Sequence, residues 1–234
     1  MQGMVFDLQK IAKTGLAVLL LVVGGVAAAQ DLLPATAFFD QVAQEYGSIE
    51  EYSANISIKN GGSVSRGVLL FKNPERIRID FSQPEDQVIV SDGERLQIYL
   101  PRYNVVLSQR LQSGGDAALT AAASGRGLQL LRRGYGIAYL DSPNAVPLEE
   151  GSDELVTKLR LNWRSTSEGF RQLILSIGAN NLIRRIEGVT ADYQEIQLDF
   201  TNIDRNPGIP ASRFDYRGPS SANTFHDFLF EGEG

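Results

Sequence analysis

The chain has 234 residues, 43% apolar and 21% charged, enough for one globular domain with a sizeable core and too apolar for disorder. Its formal net charge of −6 argues against nucleic acid, and against an anionic membrane surface, as partners. With no Cys and a single His, thiol chemistry is excluded and zinc or copper sites are not expected, so neither metal nor cofactor is foreseen.

Taken in chain order, the first segment reads as an address. Lys10 and Lys13 precede the apolar run "GLAVLLLVVGGVAAA" and the small residues Ala27, Ala28 and Ala29, the pattern of a cleaved signal peptide over residues 1–29. The run is about 15 residues, short of the roughly 20 that cross a bilayer as a helix. Export to the periplasm is expected, with one domain over 30–234. Residues 1–29 carry Asp7, Lys10 and Lys13, so their loss leaves a net charge of −7.

A helix comes next. In "LPATAFFDQVAQEYGSIEEY", Phe38, Val42 and Tyr46 recur at i, i+4 and i+8 with Phe39 beside them, and Gly47 is expected to end the stripe. Strand patterns follow. "YSANISIK" and "VSRGVLLF" flank the turn "NGGS". Ile77, Ile79 and Phe81 then alternate with Arg76, Arg78 and Asp80. Beyond Gln83-Pro84, Val88 and Val90 occupy the next run, and Asp92-Gly93 signals a two-residue type I′ turn. Leu96, Ile98 and Leu100 alternate with Arg95, Gln97 and Tyr99, and "NVVLSQ" is another strand.

Between about 112 and 140 the alternation stops. An Ala- and Gly-rich loop with short helices near 116–123 and 126–133 is expected, a composition suited to a mobile cover, followed by an extended "YGIAYL". Strands resume with Leu159, Leu161 and Trp163 opposed to Lys158, Arg160 and Asn162. Ile196, Leu198 and Phe200 are likewise opposed to Gln197, Asp199 and Thr201. The count is about ten strands, nearly all antiparallel, one face polar throughout and the other apolar. The fold class expected is mainly β with covering helices (α+β): an unclosed antiparallel β-barrel or strongly curved sheet with an N-terminal helix and a helical lid.

No catalytic constellation accompanies these strands. The one His, His226, lies close to the C-terminus, and no G-x-S-x-G elbow exists to pair with it. The carboxylate neighbours Glu50-Glu51, Glu149-Glu150 and Asp153-Glu154 read as solvated charge rather than a hydrolytic pair. An enzyme is not expected.

The stretch "GVLLFKNPERIRIDFSQPEDQVIVSDGERLQIYLPRYNVVLSQ" resembles the outer-membrane lipoprotein carrier family, the LolA-type periplasmic chaperones. The likeness rests on Lys72, Pro74, Gln83-Pro84, "VIVSDG" at 88–93, Tyr99 and Pro101, in that order. The resemblance implies an apolar cavity that holds the acyl chains of a lipoprotein. It further implies loading by an inner-membrane ABC transporter and delivery to an outer-membrane acceptor. Lining is expected from Phe38, Val42 and Tyr46 on the helix, and from Ile77, Ile79, Phe81, Val88, Val90, Leu96, Ile98, Leu159, Leu161, Trp163, Ile196, Leu198 and Phe200 on strands. Asn73 and Arg78 are expected at the lid and rim, Asn73 standing where the family carries an Arg that ties the rim to the covering helices. A monomer is expected. The alternative on the same fold is an envelope-stress sensor or interaction protein that binds lipid or a protein partner. The ending "FHDFLF" at 225–230 is expected to fold back as an edge strand or plug.

Overall fold

The computed structural model describes residues 33–111, 124–166 and 168–227. The signal-peptide segment 1–29, the helix expected near 116–123 and Phe228–Phe230 lie outside the described residues.

Helix α1 spans Ala35–Ser48 and buries Phe39, Val42, Ala43 and Tyr46, the stripe visible in the sequence. It runs one residue past Gly47, and the Ser48 hydroxyl donates to the Glu45 carbonyl at 2.7 Å. Strands β1 (Glu51–Asn60), β2 (Ser63–Lys72), β3 (Arg76–Gln83), β4 (Glu85–Ser91), β5 (Arg95–Leu100) and β6 (Val105–Arg110) form a continuous antiparallel meander. Helix α2 (Gly125–Gly134) passes directly into β7 (Tyr135–Tyr139), and β8 is the two-residue Val146–Pro147. A second meander, β9 (Leu155–Trp163), β10 (Phe170–Gly178), β11 (Ile183–Thr190) and β12 (Glu195–Arg205), returns to pair with β1. The chain ends in a short strand, β13 (Asn223–His226), which pairs with β6 in parallel.

The result is one 13-stranded sheet in the order β13-β6-β5-β4-β3-β2-β1-β12-β11-β10-β9-β7, with β8 on β9. It does not close into a barrel. Antiparallel neighbours place opposed residues on the same face, so the register decides which side chains share a surface. Ile77, Ile79 and Phe81 share a face with Phe71, Leu69 and Gly67 of β2, which in turn share one with Tyr52, Ala54 and Ile56 of β1. Phe200 and Leu198 of β12 continue that face, then Ile186, Leu175 and Leu159 across β11, β10 and β9. These residues pack with α1 and α2 in one core. We call this the inner face.

Val88 and Val90 are not on it. Val90 opposes Arg78 and Val88 opposes Asp80, whereas the intervening Ile89 opposes Ile79. In the run "VIV" every residue is aliphatic, so alternation carries no phase; the register assigns only Ile89 inward. Val90 is 1% exposed nonetheless, because the outer face is not polar throughout. Residues 206–222 cross it as a strap that buries Ile209 and Phe214 and brings Gly218 against Val106. Arg78 also belongs here rather than to the lid. It donates to Asp80 at 2.8 Å and to the Arg213 carbonyl at 2.8 Å, and stacks over Tyr216. Arg213 in turn reaches Asp80 at 2.6 Å.

The tight turn after β4 differs from its expected type. Asp92 opposes Arg95, so Gly93-Glu94 is the two-residue loop, and only Gly93 has positive φ, +98°. That is the sign pattern of type II′. The Asp92 carboxylate accepts the Glu94 and Arg95 N–H groups, both at 2.8 Å, which fixes it before the loop rather than in it.

Candidate functional site

The inner face divides into two regions of unlike cover. Under α1, Leu159, Leu161 and Leu175 are 0% exposed, and Ile177, Ile183 and Phe39 lie among them. The helix is fixed there by more than apolar packing. The Ile183 N–H donates to the Tyr46 phenol at 3.1 Å, Tyr46 meets Tyr52 edge-on at 6.2 Å, and Arg205 pairs with Glu45. Burial pushes the Tyr46 phenol up to about 12, against smaller opposing effects of the Ile183 N–H and of Arg184 and Arg205, so it stays neutral. Phe38 is half-buried and stacks on Tyr139, whose hydroxyl donates to the Leu33 carbonyl at 2.7 Å.

The other region spans β4, β5 and β6. Continuing the register from Ile79 through Ile89 leads to Ile98 and then Leu107. Leu96 and Leu100 flank Ile98 on the same face, with Val105 opposite Leu100. All six aliphatic side chains are half-buried, and only Ile89 packs on the sealed core. This is an apolar surface built like a core but not closed over like one.

The remaining expected lining residues sit on the inner face as well. Val42, Tyr46, Ile77, Ile79, Phe81, Leu159, Leu161, Leu198 and Phe200 are buried in the sealed region, while Trp163 and Ile196 are half-buried near its edge. Leu96 and Ile98 belong to the open region. Sequence reading missed Ile89, Val105 and Leu107, and it placed Leu100 on the apolar face with Leu96 and Ile98 without naming it in the lining. The signal for Leu107 was available, since "NVVLSQ" must pair with the preceding strand, but its phase depended on the 3₁₀ turn Pro101–Tyr103 between them.

Asn73 stands at the β2–β3 turn, its N–H donating to the Glu50 carbonyl at 2.7 Å. With Phe71, Pro74, Tyr46, Ile49 and Ser124 it lines a cavity of about 180 Å³ beneath the first turn of α2. A larger groove of about 630 Å³ lies at Gly61 and Gly188, where Ile174, Val189 and Ile196 alternate with the charged and amide side chains of Lys59, Gln172, Glu187, Glu195 and Gln197, a mixed lining less suited to alkyl chains than an unbroken aliphatic one. Among the described residues no group of three or more His, Asp or Glu is placed to hold a metal ion. What the arrangement offers is apolar area.

An open sheet that presents an aliphatic inner face under helices can be compared with known proteins. The family model for the outer membrane lipoprotein carrier protein LolA matches residues 58–217, from the later part of β1 through most of the strap. The chain belongs to this carrier family. Its likeness to individual members is modest and long. It is 24% identical over 175 residues to the outer-membrane lipoprotein carrier protein of Dechloromonas aromatica, covering 74% of this chain and 78% of that one. It is 29% identical over 163 residues to the protein of that name from Leptothrix cholodnii, covering 68% of each. Among solved structures, an uncharacterized conserved protein from Thermus thermophilus superposes with a TM-score of 0.54 at 13% identity, over 82% of this chain and 98% of that one. MucB superposes with a TM-score of 0.50 at 13% identity, over 81% of this chain and 64% of MucB. At such identity the two structures share the carrier fold and no more.

Proposed function

We propose that the protein is a periplasmic carrier that holds the acyl chains of lipoproteins on its inner face while moving them from the inner to the outer membrane. The observation that carries this reading is the half-buried patch of Ile89, Leu96, Ile98, Leu100, Val105 and Leu107. An alkyl chain needs apolar area and no reactive group, and each methylene removed from water contributes about 0.8 kcal/mol. Two or three chains of roughly 16 carbons therefore supply ample gross affinity before ordering costs. Membership of the carrier family supports the same reading. The partners in this proposal are the acylated lipoprotein, an inner-membrane ABC transporter that loads the carrier and an outer-membrane acceptor; the carrier itself acts as a monomer without nucleic acid or cofactor.

Native mass spectrometry of protein purified from the cell envelope tests it. Co-purifying lipid or lipoprotein is expected, and delipidated protein should bind a fluorescent 16-carbon fatty acid. Ile98→Glu should weaken that binding about tenfold or more, by placing a carboxylate against the chain, while Gln97→Glu on the outer face leaves it unchanged. Equal effects of the two substitutions in folded protein would remove the inner face from the site.

A further inference from the structure

Strand β10 carries one residue too many at its start. Phe170 opposes Thr190 of β11 and Gln172 opposes Val189, so Arg171 is the extra residue of a β-bulge, unpaired in that ladder. A bulge takes a side chain out of the strand's alternation and re-aims it. Both neighbours of the bulge are held. The Phe170 carbonyl accepts the Tyr135 hydroxyl at 2.9 Å, and the Phe170 ring covers Gly188 so closely that a Cβ there would meet it at 2.9 Å. The Gln172 amide donates to the Asn162 side chain at 3.1 Å.

The re-aimed Arg171 lies over aromatic rings. Its guanidinium carbon is 5.2 Å from the ring centroid of Trp163 and 4.0 Å from that of Tyr193. Tyr193 is 70% exposed and holds φ at +66°, left-handed backbone that a bulky side chain rarely adopts. Its turn enforces this: the Tyr193 N–H donates to the Thr190 carbonyl at 3.1 Å, and Asp192 accepts the Thr190 hydroxyl and the Gln194 amide. Asp192 is thereby engaged within its own turn. Arg78, Arg184, Arg185, Arg205 and Arg213 each meet a carboxylate, but among the described residues the Arg171 guanidinium has no hydrogen-bond or ion-pair partner. A guanidinium laid on rings keeps its N–H groups, which lie in its own plane, available at its edge. Beside it the surface is apolar. Trp163, Phe170 and Ile196 are half-buried against the core, Ile196 opposing Gly188.

We propose that Arg171, braced by Trp163 and Tyr193, receives the anionic head of an amphiphile, a carboxylate or phosphate bearing an alkyl chain, whose chain lies against Trp163, Phe170 and Ile196. The planar fork offers two parallel N–H donors to two oxygens of such a head. The site sorts acyl compounds by head group, a selectivity that apolar area alone does not supply. Its use in selecting cargo rests on the carrier reading; its preference for an anion does not.

Trp163 is the only tryptophan in the chain, so its fluorescence reports on this site. Dodecanoate, dodecyl phosphate and dodecanol are titrated by calorimetry, with Trp163 emission followed in parallel. The anions should bind about tenfold more tightly than the alcohol and shift the emission. Arg171→Gln should abolish that advantage and that shift while leaving the alcohol unchanged. Arg171→Lys, which keeps the charge without the fork, should lose about threefold. Lys59→Gln makes the same change of charge at an exposed position and should match the parent. If only one of the two anions depends on Arg171, the site stands and that head is its ligand. Undiminished anion affinity in Arg171→Gln, an equal loss for the alcohol, an equal loss in Lys59→Gln, or anion binding without change in Trp163 emission overturns the inference. The alcohol tests the carrier reading separately. An Arg171-dependent response to anions with no binding of the alcohol leaves the site and removes the carrier; binding of all three probes alike leaves the carrier and removes the site. Parent protein that binds none of them overturns both.

Discussion

Leu175 and Ile98 are both aliphatic, both on the inner face and both on strands of the same sheet, yet one is 0% exposed and the other half-buried. The difference is the cover. Leu175 belongs to the core cluster that takes in both helices, α1 being held there by a hydrogen bond between Ile183 and Tyr46, while Ile98, Leu100 and Leu107 continue the same face outside that cluster. A sheet face is apolar wherever it must avoid water, whether its partner is its own helix or an alkyl chain. Sealed core and open patch are thus one material in two states of closure.

The largest expected effect follows from this directly. Leu175→Ala should cost about 2–5 kcal/mol by opening a cavity in the sealed region, read as a fall in Tm, while the folded protein keeps its acyl stoichiometry. Ile98→Ala should cost about 1 kcal/mol, since part of its surface already meets solvent. Equal losses would dissolve the distinction between the regions. Ile77→Glu is a poor probe of lipid handling for the same reason: Ile77 is 4% exposed and its substitution strikes the core.

A smaller effect sharpens the contrast between inner and outer faces. The strap is tied at its start by Glu51, whose carboxylate accepts the Lys72 ammonium and the N–H groups of Gly208 and Ile209, the latter at 2.8 Å. The Lys72 hydrogen bond first, then the Ile209 N–H, hold that carboxyl below its ordinary range. A depressed carboxyl stabilises the folded state above its unfolded pKa and ceases to do so as pH falls through its folded value. Hydrogen exchange at 208–214, corrected for its intrinsic pH dependence, should therefore quicken below about pH 4. Glu51→Gln should show quickened exchange already at pH 7 and little further change on acidification. Acid loosening of α2 before the strap would contradict this assignment.

The smallest effect belongs to the edge. Phe225, in β13, is 56% exposed, so Phe225→Ser should shift stability by no more than about 0.5 kcal/mol. A greater fall in Tm would mean that the parallel strand on β6 secures the open region, and the two regions would then be less independent than their burial suggests.

Much of the fold was legible because strict alternation needs only two kinds of residue. Ile77, Ile79 and Phe81 between Arg and Asp admit one phase, and the structure keeps it. The amphipathic stripe of α1 was readable on the same ground. Where the pattern lost contrast, phase was lost too. Val88-Ile89-Val90 is aliphatic throughout, and the inner residue proved to be the middle one. Arg78 looked like a rim residue because a charge on a strand suggests solvent, whereas the strap across the outer face provides it with a carbonyl and a ring.

The amino-acid sequence by itself determined the strands, the first helix and the inward phase of most apolar residues, since each depends on side chains within one or two turns or hairpins of one another. Tertiary structure alone decided which part of the inner face is sealed. It also buried Val90 and Val106 on the outer face, Val106 against Gly218, and set Gly125 on Gly47 across 78 positions of chain. Periodicity reports which side of a strand avoids water. What comes to lie on that side is settled by segments far away in sequence, whose approach leaves no local pattern.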